Sequence, residues 1–572
     1  MTATALTPGP VRGIAARAPK SKISPERISA SITLVVILVI AIQALVSIDI
    51  SIPKMFESMD NAERFFIRVG GVTFPPLGEL LYLTALTVGL VLCGTLLAAV
   101  LSVPVAILSA SNTTPGPAWR WAGRFVGVLT RAVPDVVLAM VFVLMFSLGA
   151  LPGIMAIGIH SVGMISKMFA DAIEQVDEGP RLAIRAAGGT KTQEFVSGIL
   201  PQVMPSWVAT VLHRNDINLR GSVILGYVGI IGLGREMSYA FKAMDYSLGM
   251  GYAIVIFALC VLMEVVSSSV RSVMLGHAPT GRGMGDRLVR RFGKKSPRET
   301  MANAVGFASP AQALVRPWTN ARRRNVVWGI TSVLVVIGSV VISDIQWRDF
   351  VTFWGKVPAI AVQFWPPTFG SYEYGTMLDA MWKTIAIALA ATFLTLLGSV
   401  VIGSLAARNV APNGFIRSAS RFILVVIRGI PEVILAIMLI VVTGLGGQAG
   451  TLALAICGVG LLGKLIADSF EEVNPGPERA LTATGATRLQ VFAGATFPQG
   501  VQSLIGHTFY LLDTNVRAAT ILGIVGGGGI GYYLLNAGQG SKYGVVTAIV
   551  LMILATVLVV EGLAMWMRRE FR

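Results

Sequence analysis

The chain has 572 residues, of which 54% are hydrophobic and only 13% are charged, and its mean hydropathy is +0.72. A soluble domain carries about a quarter charged residues, and its core cannot absorb such an excess of apolar side chains. The composition excludes a disordered chain, and three cysteines in this length exclude a disulfide scaffold. The class that remains is an all-α polytopic membrane protein.

The formal net charge of +16 is concentrated in three basic segments. They are the N-terminal tail 1–27, a central linker 272–324 and the C-terminal end 568–572. Because basic residues cluster on the cytoplasmic side of a membrane protein, we expect both termini and the linker in the cytoplasm of a cell-membrane protein surrounded by lipid. Aromatic residues are not interleaved with these runs, so no nucleic-acid partner is expected.

Apolar stretches of about 20 residues predict transmembrane helices. In the first half we expect six spans, at about 28–48, 79–106, 124–148, 152–170, 196–220 and 247–270. In the second half we expect six more, at about 325–346, 380–405, 420–444, 450–467, 493–517 and 544–567. The predicted units are 28–271 and 325–572, and the aromatic-rich stretches near 49–78 and 347–377 are expected outside the cell.

The two halves repeat each other in sequence. The motif RAVPD at 131–135 returns as RGIPE at 428–432, and DINLR at 216–220 returns as DTNVR at 513–517. Both offsets, 428 − 131 and 513 − 216, are 297 residues. Each unit has an even number of predicted spans, so both units enter the membrane in the same direction. This predicts a pseudo-twofold axis along the membrane normal.

A short segment between the fourth and fifth predicted spans has the same design in both halves. Each segment predicts a surface helix that starts at a proline and stops at a glycine, followed by a helix that re-enters the membrane at a second proline. Such a helix can act as a lever if another subunit pushes it. These coupling segments are about 174–190 and 471–487, with glycines Gly188 and Gly485 and prolines Pro201 and Pro498.

These motifs resemble the permeases of ATP-binding-cassette importers, and most closely those of phosphonate importers (PhnE-type). The resemblance rests on the glycine and proline of each coupling segment, on R-x-x-P-D/E, and on D-x-N-x-R followed by I-L-G-x-x-G-x-x-G-x-G. It covers both halves except the N-terminal tail and the linker. It implies two tandem six-helix domains of the type I, MetI-like importer fold, in a chain of about twelve transmembrane helices.

The resemblance also implies partners. They are an ATPase dimer that contacts one coupling segment of each half and an extracytoplasmic phosphonate-binding (lipo)protein. ATP and Mg²⁺ are expected on the ATPase, because this chain has no Gly-x-x-x-x-Gly-Lys-Ser/Thr motif and no cofactor site of its own. Importer permeases commonly carry a glutamate six residues before the coupling-segment glycine, where this chain has Leu182 and Arg479. The two halves are therefore free to dock their ATPase subunits unequally.

Eight polar residues in the predicted spans are the candidate substrate pathway. An ionised side chain in a span costs about 2.5–3.5 kcal/mol, so it normally faces a bundle interior or a wet cavity. The acid–arginine pairs at i and i+4 either neutralise each other and fix packing, or leave Arg220 and Arg517 to attract an anionic substrate. Both interpretations stay open. The candidates are Arg131, Asp216, Asn218, Arg220, Arg428, Asp513, Asn515 and Arg517.

Glycines follow these polar residues in each half. Gly226 and Gly229 repeat as Gly523 and Gly526. They allow either a turn or re-entrant stretch that acts as a gate, or close packing of helices at small residues.

The sequence predicts ATP-driven import of phosphonate, phosphate or phosphite by alternating access. The alternative is an ion-coupled secondary transporter with two six-helix repeats, which needs ion-coupling acids in its spans. In our interpretation each intramembrane acid has an arginine four residues away, which counts against that alternative. A membrane scaffold would leave the repeated coupling segment without purpose. The four histidines lack metal-ligand spacing and no catalytic constellation appears, so neither a metal site nor an enzyme is expected.

Overall fold

The structure, a computed structural model, describes residues 25–48, 50, 59–274 and 320–570. The predicted basic tail up to residue 24, residues 275–319 of the predicted linker, and residues 571–572 lie outside the described part. All regular secondary structure in the described ranges is helical, as the predicted fold class requires.

The helices are numbered here in chain order. In the first half they are α1 (Pro25–Ser47), α2 (Met59–Val69), α3 (Leu77–Ser109), α4 (Pro117–Ala132), α5 (Asp135–Phe146), α6 (Ala150–Glu174), α7 (Glu178–Ala186), α8 (Lys191–Tyr227), α9 (Leu233–Lys242) and α10 (Tyr246–Met274). In the second half they are α11 (Asn320–Ile342), α12 (Trp347–Phe364), α13 (Tyr374–Ala406), α14 (Gly414–Gly429), α15 (Glu432–Thr443), α16 (Gly447–Glu471), α17 (Pro475–Ala483), α18 (Arg488–Gly527), α19 (Ile530–Gln539) and α20 (Tyr543–Glu570).

The membrane-spanning helices follow the predicted positions. Eight helices of the described part are long and apolar enough to cross a membrane, and counting each of three bent pairs as one span gives up to 11. The shorter apolar stretch Val326–Ile342 in α11 lies at the remaining predicted position. The chain is therefore a multi-pass membrane protein with the repeated helical pattern that the sequence indicates.

Two predicted spans are broken rather than continuous. The predicted spans over 124–148 and 420–444 are each divided into two helices, because α4 and α5, like α14 and α15, meet at an angle of 84°. The breaks fall at Pro134 and Pro431, and the residue before each proline, Val133 or Ile430, is extended. A proline disfavours the helical conformation of the residue that precedes it, so the chain turns there.

The two halves exchange their first helices. Helix α1 packs against α13 of the second half, where Ala44 is buried with Ala386 and Ala390. Helix α11 packs against α3 of the first half, and a Cβ at Gly89 would lie 2.9 Å from the Ile342 side chain. Each unit of the repeat is therefore completed by a helix of the other. The predicted unit boundaries at 271 and 325 stay a prediction.

Candidate functional site

Two charged clusters lie at the interface between the halves, and the repeat relates them. In the first cluster, Arg220 Nη2 on α8 donates to Asp216 Oδ2 at 2.7 Å and to Glu264 Oε2 on α10 at 2.8 Å. In the second, Arg517 Nη2 on α18 donates to Asp513 Oδ2 at 2.6 Å. The predicted i,i+4 pairs on these two helices are thus present, and each arginine is hydrogen-bonded to the aspartate four residues before it.

An arginine from the opposite half completes each cluster. Arg428 Nη2 lies 3.6 Å from Glu264 Oε1 across the interface, and Arg131 forms an ion pair with Glu561. The backbone takes part as well, since Arg220 Nη1 donates to the Arg428 carbonyl oxygen at 2.9 Å. At the repeat position Arg517 Nη1 donates to the Arg131 carbonyl oxygen at 3.3 Å. Four of the eight predicted pathway residues therefore connect one half to the other.

Two details of the sequence interpretation were wrong. Arg131 and Arg428 form their ion pairs across the interface rather than with the acids four residues on, because the helix breaks at Pro134 and Pro431 in between. The statement that every intramembrane acid has an arginine four residues away fails for Glu264 and Glu561. Their partners come from other helices, which no local spacing reveals.

The predicted asparagines hold spans of their own half together. Asn218 Nδ2 donates to Thr95 Oγ1 on α3 at 2.9 Å, and Asn515 Nδ2 donates to Thr392 Oγ1 on α13 at 2.9 Å. Both asparagines are buried, and the oxygen of the Asn218 amide also accepts a hydrogen bond from Ser161 at 3.1 Å. These hydrogen bonds fix the face that α8 and α18 present to the interface.

The predicted glycines form a turn that folds a short helix back onto the preceding span. Gly229 and Gly526 have φ of +97° and +113°, a region that favours glycine, and α18 and α19 meet at 65°. A Cβ at Gly226 would lie 2.2 Å from the Arg235 nitrogen, and one at Gly523 would lie 2.6 Å from the Gly528 carbonyl oxygen. The turn and the close packing proposed from sequence thus occur at different glycines of the same motif.

A cavity of about 330 Å³ lies beside this turn, at the end of α8 far from the coupling segment. The first half lines it with Tyr239 and Lys242, and the second half contributes Gln539 and Ser541. Lys242 Nζ lies 5.8 Å from the centroid of the Tyr227 ring. No sequence motif reveals this cavity, because its lining comes from turns and helix ends of both halves.

The coupling helices α7 and α17 have matching ends. Asp177 and Asn474 cap their N-termini by accepting hydrogen bonds from the nitrogens of Gly179 at 3.0 Å and Gly476 at 2.9 Å. Helix α7 therefore begins before Pro180, the proline predicted to start it, whereas α17 begins at a proline, Pro475, as predicted. At the C-termini Gly188 (φ +81°) and Gly485 (φ +82°) adopt the left-handed conformation that ends a helix.

The next helix begins directly after each glycine, earlier than predicted. Thr190 and Thr487 form capping boxes with Gln193 and Gln490, so α8 and α18 start well before Pro201 and Pro498. A π-helical turn lies just before each proline, whose missing N–H leaves a carbonyl without its regular partner. The rigid hairpin that results joins the coupling helix to the membrane span.

The two coupling segments differ in the side-chain hydrogen bonds that stabilise them. In the first, Arg185 donates to both carboxylate oxygens of Glu194, at 2.8 and 3.0 Å. This hydrogen bonding raises the pKa of Arg185. The second has Thr482 and Val491 at those positions, and Glu478 instead accepts from Asn409 at 2.8 Å.

The positions of the missing glutamates point outward. Leu182 is 50% exposed, and Arg479 is also exposed. The two coupling helices therefore present different side chains, one apolar and one basic, at equivalent places on their surfaces.

The ion pair between Arg185 and Glu194 is expected to make the first coupling segment more rigid. Arg185→Ala is expected to speed amide hydrogen exchange in residues 178–186 and to lower ATP-coupled uptake about two- to threefold, because the Arg185 side chain is 54% exposed and an ion pair open to solvent on one side has a modest effect. Exchange is measured by mass spectrometry on the assembled complex. Thr482→Ala is the matched control, and equal effects of the two variants would contradict the prediction.

The family described as "Binding-protein-dependent transport system inner membrane component" matches residues 71–274 and 399–572, one match in each half. The chain belongs to this family. It is a transport permease subunit rather than an enzyme, and the predicted tandem permease units are confirmed. Permeases of this class work with an ATPase and a binding protein.

Several relatives share the sequence over both halves or one. The phosphate-import permease protein PhnE of Mycolicibacterium smegmatis is 36% identical over 83% of this chain and 82% of its own length. The phosphite transport system permease protein PtxC of Stutzerimonas stutzeri is 38% identical over 32% of this chain and 67% of its own. The putative cryptic phosphonate transport system permease protein PhnE2 of Escherichia coli is 37% identical over 21% of this chain and 98% of its own.

Proposed function

We propose that this chain is the permease of an ATP-driven importer that carries a phosphorus oxyanion, namely phosphonate, phosphate or phosphite, into the cytoplasm. Relatives named for phosphate, phosphite and phosphonate transport support this substrate class. An extracytoplasmic binding protein supplies the oxyanion, and a cytoplasmic ATPase dimer with its own ATP and Mg²⁺ drives the cycle. Both termini and the central linker lie in the cytoplasm.

The doubled coupling segment is the observation that carries this proposal. Helices α7 and α17 share their side-chain N-caps, their left-handed glycines and the capping boxes that follow, at an offset of 297 residues. A symmetric ATPase dimer can move both halves together only if each half offers it an equivalent, rigid contact, and α7 and α17 are two such contacts.

We place the substrate pathway between the halves, past the two charged clusters. Arg220 and Arg517 hold carboxylates in the structure, so an oxyanion has to displace a carboxylate before either guanidinium can bind it. The turn at Gly229 and Gly526 is the proposed gate on the opposite side from the coupling segments. The cavity that Lys242 lines is the proposed entrance, because the positive charge of Lys242 attracts an anionic substrate.

The alternative of an ion-coupled secondary transporter is not favoured by the family match. Its coupling acids would have to be free to bind an ion. Asp216, Glu264 and Asp513 accept hydrogen bonds from arginines and are not free in this way, whereas Asp135 and Glu432 form no ion pair with Arg131 or Arg428.

Uptake competition tests the substrate class. The permease, the ATPase and the binding protein are reconstituted in liposomes with ATP inside, and entry of labelled phosphate is measured. We expect ATP-dependent uptake that unlabelled phosphite or methylphosphonate reduces and that sulfate leaves unchanged. A transporter that moves none of the three phosphorus oxyanions with ATP would contradict the proposal.

A further inference from the structure

Arg214 on α8 is a membrane-embedded arginine with an incomplete set of partners. Its Nε donates to Ser161 Oγ on α6 at 3.1 Å. Among the described residues, no carboxylate oxygen lies within the 4.0 Å ion-pair distance of its nitrogens. The four arginines of the interface clusters each have one within that distance. Arg214 therefore differs from them in having guanidinium nitrogens that no carboxylate occupies.

The electrostatic surroundings of Arg214 leave its charge poorly compensated. Asp135 attracts the guanidinium from beyond ion-pair distance, while Arg517 of the second half repels it. A charge inside a span is costly unless it faces a wet cavity or a partner. Arg214 is partly exposed, so water or a ligand can reach it.

The repeat indicates that Arg214 is not required for the fold. At the equivalent positions of the second half, Leu511 replaces Arg214 and Gly458 replaces Ser161. Leu511 is only 2% exposed, and a Cβ at Gly458 would lie 2.6 Å from Thr395 Oγ1, so that half has no room for the serine. The arginine and the serine that holds it are thus present or absent together.

We propose that Arg214 is the guanidinium that binds the phosphorus oxyanion on the coupling-segment side of the pathway. Ser161 orients the side chain, because its hydroxyl accepts from Arg214 and donates to Asn218. The two terminal nitrogens are left to bind two oxygens of a tetrahedral oxyanion, the geometry that a planar guanidinium suits. Since only one half has this residue, the transporter has one such site.

The position of Arg214 along α8 gives the site its place in the transport cycle. It lies six residues before Arg220, about 9 Å nearer the coupling segment along the helix. Arg220 contacts the other half through the Arg428 carbonyl oxygen. An oxyanion entering from the far side therefore reaches Arg214 only after that contact has opened, which makes Arg214 an exit-side residue. This placement rests on the proposed function.

The test replaces the pair with the residues of the other half. In the double variant Arg214→Leu with Ser161→Gly, reconstituted with ATPase and binding protein, we expect phosphate uptake to fall about tenfold or more. Assembly of the variant with the ATPase is expected to be unchanged, because the coupling segments are unchanged. Arg214→Lys keeps the charge without the planar fork and is expected to give intermediate uptake.

Each outcome decides for or against the site. Wild-type uptake by the double variant would overturn this inference alone, and so would a failure of both variants to assemble with the ATPase. Absence of phosphorus-oxyanion uptake by the wild-type complex would overturn the proposed function, and the inference with it.

Discussion

Arg517→Leu is expected to remove most of the folded permease from the membrane. Arg517 and Asp513 are 8% and 9% exposed, and the substitution leaves the Asp513 carboxylate buried without its cation. Breaking one side of a buried ion pair costs about 3–5 kcal/mol, a large part of the stability of a typical domain. The measurement is the amount of monodisperse permease after extraction, together with its thermal unfolding midpoint.

The double variant Arg517→Leu with Asp513→Leu is the control, because it removes both charges. It should recover most of the folded protein, since an ion pair replaced by apolar side chains is often tolerated. Uptake per assembled permease then separates the two interpretations of Arg517. We expect a rate at least about tenfold below wild type, as a pathway residue requires. A single variant as stable as wild type would contradict the buried-pair argument, and full uptake by the double variant would assign the pair to packing.

Gly531→Ala is expected to disrupt the turn motif of the second half and abolish uptake. Its Cβ would lie 1.9 Å from the Thr520 carbonyl oxygen and 3.0 Å from Gly523 Cα, so α19 has to move away from α18. Extra volume in a packed site lowers the free energy of unfolding by about 1–3 kcal/mol. Here the neighbouring atoms belong to the backbone, which cannot change rotamer to make room. The unfolding midpoint and the uptake rate report the two effects.

Gly562→Ala in α20 is the matched control for this glycine. Its Cβ would have no neighbour within 4 Å, and alanine favours a helix over glycine. We expect unchanged uptake and equal or higher stability. If Gly531→Ala behaves like Gly562→Ala, the close approach of α19 to α18 is not required for transport.

The repeat made much of the fold predictable. Because the halves align without gaps, both are expected to adopt the same fold. The pairs Gly188 with Gly485 and Asn218 with Asn515 accordingly occupy equivalent environments. The apolar runs placed the spans, since hydrophobic length is a property of local sequence. Asp177 carried a local signal for the start of α7 before Pro180, and Asn474 caps α17 directly before Pro475.

Contacts between the halves could not be predicted in this way. Glu264 and Glu561 bind arginines on other helices, and their positions depend on how ten helices of each half pack. The exchange of α1 and α11 is likewise a tertiary result. The helix breaks, in contrast, had a local signal in the prolines at 134 and 431.

Arg214 shows where departures from the repeat are informative. The interface arginines recur in both halves and were found by their recurrence. The residue equivalent to Arg214 in the second half is Leu511, so Arg214 belongs to no motif that the two halves share. A comparison of the polar residues that differ between the halves would have found both Arg214 and Ser161.

Co-purification with an ATPase tests most directly whether this permease is driven through its coupling segments. The permease is expressed with a candidate ATPase, purified through a tag on the permease, and assayed for ATP hydrolysis with and without substrate-loaded binding protein. We predict a stable complex that contains two ATPase subunits and hydrolyses ATP faster when the loaded binding protein is added. A permease that transports its oxyanion with no ATPase bound, driven by an ion gradient alone, would contradict this mechanism.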